Sequence, residues 1–208
     1  MDLSIAAFLT QDGVTNGAIY ALLALALVLV FAVTRIIWIP SGEFVTYGTL
    51  TLAGLQLGKP PGTMGLLIGV AVVAAAVEAF ATIRDGEWRR LPQRLALWLG
   101  VPLLIAGAIG WAAPRALPLS VQVLLTLAAV TALGPLLYRI VYQPIADASV
   151  LVLLIVSVAL HLVLTGLGLF FFGAEGSRTP PFTGVSFQID AMTFSAQSLL
   201  VIGTSVVL

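Results

Sequence analysis

Residues 150–172 read VLVLLIVSVALHLVLTGLGLFFF, and no Asp, Glu, Lys or Arg occurs between Asp147 and Glu175. A helix needs about 20 mostly apolar residues to cross the hydrocarbon core of a bilayer. This stretch meets that length and therefore sets the class of the protein. The same test applied outward along the chain predicts spans at Val14–Thr34, Met64–Ile83, Leu95–Ala113 and Pro118–Leu137. Charges fall between these segments, except for Glu78 inside Met64–Ile83. Composition agrees: 60% of the 208 residues are hydrophobic and only 9% are charged, against about 25% charged in soluble domains.

Two further segments are shorter. Phe44–Leu57 would reach roughly 21 Å as a helix, less than the roughly 30 Å core, so crossing and re-entry both stay open. Phe194–Leu208 stops in Val-Val-Leu without a polar anchor and reads as an unfinished last helix. The expected fold is therefore an all-α polytopic bundle with about six complete or partial spans plus that last helix, in one domain over 1–208. With zero Cys and one His, zinc fingers, iron–sulfur sites and disulfide scaffolds are excluded. No metal or cofactor is expected. Zero net charge without a basic face argues against nucleic acid.

Acidic residues precede the first span and Arg35 follows it, which predicts an outside N-terminus and no cleaved signal peptide. Counting seven crossings, Arg35, Arg84, Arg89, Arg90, Arg94 and Arg139 fall inside, and Lys59, Arg115 and Arg178 fall outside. That Lys/Arg bias of six to three agrees with the outside N-terminus. Between Gly173 and Thr193, the alternation of Val185, Phe187 and Ile189 with polar residues predicts a short strand.

Small residues at a spacing of four, Gly13–Gly17–Ala21 and Gly65–Gly69, are expected to pack neighbouring helices. Pro40 and Gly42 interrupt an apolar run just before the short segment. That pattern fits either a broken helix beside a substrate route or an interfacial turn anchored by Trp38. Ser157, His161 and Thr165 recur every four residues and share a helical face with Gly168. They fit either a polar path or interhelical hydrogen bonds. Glu78, inside its span, is expected to snorkel or to pair with Arg84. If Glu43 is buried, its expected partner is Arg35 or a helix N-terminus. The candidates for a substrate path are Asn16, Tyr20, Gly42, Glu43, Tyr47, Ser157, His161 and Thr165.

The run Gly13-Val14-Thr15-Asn16-Gly17-Ala18-Ile19-Tyr20-Ala21-Leu22 resembles the opening helix of permease subunits of branched-chain amino-acid ABC transporters, the Liv-type importers. Ser41-Gly42-Glu43-Phe44 resembles their Gly-Glu motif. Tyr138-Arg139-Ile140-Val141-Tyr142-Gln143-Pro144-Ile145 is similar to their Tyr-Arg-Pro stretch, and Phe172-Gly173 before a Pro-containing loop continues the match. Thr82–Leu117 falls outside the match and reads as an inserted hairpin of two half-spans. The resemblance implies a C-terminally truncated permease in the bacterial inner (plasma) membrane, working by alternating access. Its partners would be a second permease subunit, cytoplasmic ATPase subunits that hydrolyse the ATP, and an external substrate-binding protein. The chain itself has no phosphate-binding G-x-x-x-x-G-K-[ST] loop and is expected to catalyse no reaction. Two readings from other classes compete: a non-transporting membrane scaffold or remnant, and an ion-coupled carrier using Glu78 and His161.

Overall fold

The computed structural model describes residues 3–115, 117–177, 179, 186–189 and 192–207. Seven α-helices dominate: α1 Leu3–Thr34, α2 Ser41–Gln56, α3 Thr63–Arg84, α4 Leu91–Ala112, α5 Leu119–Leu137, α6 Val150–Phe172 and α7 Ala196–Val207. Five of the helical segments are long and apolar enough to cross a membrane. The chain is an all-α membrane protein. The segment expected at 150–172 is α6 with the same bounds. The predicted strand exists as β1, Ser186–Ile189, and it pairs antiparallel with β2, Met192–Ser195. Val185 lies outside the described residues. Two four-residue strands leave the helical class unchanged.

The chain divides into two compact units, with one boundary at the interruption between Trp38 and Ile39. The first comprises residues 1–38 and 180–208. In it, α7 packs along α1 and β2 touches α1. Ser195 closes the start of α7: its Oγ accepts from the Ser198 N–H at 3.1 Å, satisfying one of the donors that the first turn leaves open.

The second unit, residues 39–179, is built around α3. Its inward positions alternate large and very small residues, with Leu66, Leu67, Ala71 and Ala74 fully buried. The alanines let α4, α5 and α6 approach closely, as helices do in lipid. A cluster of Leu55, Ile109, Ala112, Ala113 and Ala129 fills one end of this unit. Outward positions are apolar too: Phe80, Leu104, Leu124 and Phe170 are all exposed. Such a surface is stable against acyl chains and unstable against water.

Thr82–Leu117 holds the end of α3, a single turn of 3₁₀ helix at Trp88–Arg90, and one uninterrupted α4. It is not a pair of half-spans. The uncharged residues between Arg94 and Arg115 make the length of one crossing, and Pro102 sits within the helix without ending it. The turn into α4 relies on Gly86, whose φ of 74° is costly for residues with a Cβ.

Directions follow from contacts at helix ends. Arg94, at the start of α4, reaches Glu78 near the end of α3, so α3 and α4 are antiparallel. Arg139, just beyond α5, reaches the same carboxylate. The loop 84–94 and Arg139 therefore lie at one end of this unit. At the other end, a Cβ on Gly65 would meet the Phe171 ring at 2.8 Å, so α6 ends where α3 begins. A five-residue π-helical turn, Tyr138–Tyr142, joins α5 to a 3₁₀ turn at Gln143–Ile145. Ser149 then caps α6, its Oγ accepting from Val152 N–H.

Candidate functional site

The proline–glycine interruption places the start of a helix partway along another one. Pro40 cannot donate from its nitrogen, so it takes the cap position of α2, and Ser41, Gly42 and Glu43 form the first turn. Glu43 faces His161, the midpoint of α6. From there α2 runs parallel to α6. Tyr47 donates from its hydroxyl to the Leu164 carbonyl at 2.5 Å and stacks on Phe172 with ring centroids 5.5 Å apart. Sixteen residues span roughly 24 Å and the second half of α6 roughly 17 Å, so α2 begins halfway along α6, reaches its far end near Thr51 and runs on past it. There the Thr51 hydroxyl meets that of Thr63 at the start of α3.

Three polar side chains gather at the start of α2. Glu43 Oε1 lies 2.7 Å from His161 Nδ1 and accepts from the Thr165 hydroxyl at 3.3 Å. That hydroxyl also donates to the His161 carbonyl at 2.9 Å. The Glu43 side chain is 13% exposed and that of His161 40%. The positive end of the α2 dipole adds to the favourable field at the carboxylate. The expected partner of Glu43 was Arg35 or a helix N-terminus; the partners found are the N-terminus, His161 and Thr165.

Beside this cluster is a partly open groove of about 230 Å³ between α2 and α6. Glu43, Thr46 and Thr165 form its polar part, and Leu50, Leu164, Leu169 and Phe172 its apolar part. Gly168 is what lets Tyr47 form one wall, since a Cβ there would come within 3.2 Å of the Tyr47 ring. Gly42 sits at the mouth of the helix start with open space where a Cβ would point.

Of the eight path candidates, Gly42, Glu43, Tyr47, His161 and Thr165 come together. Ser157 does not join them. It is fully buried one turn earlier and is hydrogen bonded to the Tyr142 hydroxyl at 2.8 Å. There it ties α6 to the π turn, which is a packing role. Asn16 and Tyr20 belong to the first unit and are exposed on α1. Gly13, Gly17 and Ala21 are exposed as well, with nothing within 4 Å of a Cβ at either glycine. Among the described residues of its own unit, no neighbour meets the glycines of that stripe. By contrast, the Gly65–Gly69 face lies against the Phe171 ring, joined by Gly62.

Glu78 was expected to snorkel or to pair with Arg84. At about 100° per residue, Arg84 points roughly 240° away around α3, and it pairs with its neighbour Asp85 instead. Glu78 is held by two other arginines, by Arg94 at 2.8 Å and by Arg139 at 2.5 Å. Its side chain is 6% exposed and that of Arg139 11%. Arg94 also reaches Glu87 at 2.9 Å, and Glu87 reaches Arg90 at 3.0 Å. This network was missed, although a signal existed: a carboxylate inside a span needs a cation. Among the described residues, no group of three His, Cys, Asp or Glu side chains is placed to hold a metal.

Compared with protein-family models, with curated proteins and with solved structures, the chain matches none.

Proposed function

We propose that the chain is a transmembrane permease subunit of an ABC importer for branched-chain or related amino acids, forming part of the translocation path. The observation that carries this reading is the groove at the start of α2. A branched-chain substrate has a charged head and a compact apolar tail. The groove offers a few polar atoms beside four large apolar side chains, halfway along a spanning helix. Broken helices in transporters place such sites near the middle of the membrane. The motif resemblance at Ser41–Phe44 falls on the residues that open the short helix. A second permease subunit, cytoplasmic ATPase subunits and an external binding protein complete the assembly, in a bacterial inner membrane. The carrier reading draws no support from Glu78, which two arginines hold at the charged end of the unit, away from His161.

Expressed with these partners, the protein should support ATP-dependent leucine uptake. Gly42→Leu should reduce that uptake at least tenfold while leaving membrane insertion intact, because its side chain would project into the open space at the helix start. Uptake that continues without ATPase subunits, or that is unchanged in Gly42→Leu, counts against the importer.

The same reading puts the N-terminus outside and the loop 84–94 inside. The chain has no native Cys, so single cysteines at Asp2 and Arg89 give clean signals. In intact cells an impermeant thiol reagent should label the first and spare the second. The reverse pattern would refute the orientation.

A further inference from the structure

We propose that Glu43 Oε2 anchors a primary ammonium group, so that the groove selects ligands by an amine with a short apolar tail. The proposal rests on the reading of this groove as a substrate site and names the head group it recognises. The two oxygens of Glu43 differ. Oε1 accepts from the Thr165 hydroxyl and lies 2.7 Å from His161 Nδ1, a close contact without hydrogen-bond alignment. Oε2 is buried with no hydrogen-bond partner. A buried carboxylate oxygen left without a donor is costly, and an ammonium offers three donors and a matching charge.

The neighbouring hydroxyls point to the same ligand. Thr46 donates its proton to the Gly42 carbonyl at 2.9 Å. Tyr47 donates to the Leu164 carbonyl, and the one Thr165 proton is shared between the His161 carbonyl and Glu43 Oε1. Each hydroxyl in the groove has therefore spent its proton within the helices and presents lone pairs. A hydroxyl has one donor and two acceptor sites, so the side chains here form a set of acceptors around Oε2. Among the described residues, no Lys or Arg lines the groove. The titratable groups facing Glu43 are His161 from α6 and Tyr47 from its own helix. An ammonium meets acceptors on several sides, whereas a carboxylate placed at the same point would meet lone pairs. Leu50, Leu164, Leu169 and Phe172 receive the tail.

The test is binding to the full chain purified in detergent, followed by calorimetry with 3-methylbutylamine and with 4-methylpentanoate. These probes share an apolar tail and differ in head group. The amine should bind and the acid should bind at least tenfold more weakly. Glu43→Gln keeps the shape and removes the charge, and it should weaken amine binding at least tenfold. Thr46→Val, at an exposed position where folding is preserved, should weaken it about threefold or more. Equal or tighter binding of the acid overturns the proposal, as does wild-type amine affinity in both variants. Amine binding in a protein that shows no ATP-driven uptake sinks the importer and keeps this site. Leucine uptake without any amine selectivity sinks this site and keeps the importer.

Discussion

Replacing Glu78 by alanine should lower the midpoint of thermal unfolding in detergent by about 10 °C. Breaking a buried ion pair by removing one partner costs about 3–5 kcal/mol, and each kcal/mol moves the midpoint by roughly 2–4 °C at this chain length. The cost arises at the partner left behind. Arg139 is almost as buried as Glu78 and bonds only to it in the cluster, while Arg94 retains Glu87. The double variant Glu78→Leu/Arg139→Leu should therefore recover more than half of the loss, since it removes the stranded cation and fills the space with apolar atoms. A wild-type midpoint in Glu78→Ala would show that the cluster contributes nothing to stability.

The second large effect is steric. Gly62→Ala should destabilise the second unit by about 3 kcal/mol or more, at or beyond the upper end of ordinary overpacking. Its Cβ would lie 2.3 Å from the Phe171 carbonyl oxygen and 2.7 Å from the carbonyl carbon. These are backbone atoms, so relief requires α6 to move as a whole. Gly17→Ala is the contrasting control. Nothing lies within 4 Å of its Cβ, and alanine in a helix is favoured over glycine by about 0.5–1 kcal/mol. The first variant should lose folded protein on heating before wild type does, and the second should match or exceed wild type. Equal stability of Gly62→Ala and wild type would mean that the α3–α6 contact is looser than its geometry implies.

These two cases mark what can be read from one sequence. The long spans were legible because charge punctuates them. Asp147 and Glu175 bracket α6, and cap chemistry at Ser149 and Gly173 sets its ends. The start of α2 was legible for a similar local reason: a proline without a donor followed closely by a glycine. Partnerships across helices were not legible. Glu78 finds Arg94 and Arg139, 16 and 61 residues away, and local spacing pointed only to Arg84. Gly13–Gly17 and Gly65–Gly69 carry the same spacing, yet one faces open space and the other faces Phe171. The difference lies in what another helix places opposite, which the spacing does not encode. The eight candidate residues divided on the same principle. Glu43 and His161 were each singled out for local reasons, a helix start and a polar stripe, but their contact depends on α2 beginning at the midpoint of α6.

The π turn at Tyr138–Tyr142 carries two attachments, Arg139 to α3 and Tyr142 to α6. In an ordinary α-turn, residues three apart lie on one face and would reach toward the same neighbour. The wider turn, with its i to i+5 bonding, fans them toward different helices. That makes the count of residues in this loop as restrictive as their identity. Deleting Ile140 would tighten the turn to α geometry and leave an acceptable helix, but one of the two attachments would have to be given up. Among natural variants, gains and losses of single residues should therefore spare this stretch, even where substitutions at Ile140 and Val141 are frequent.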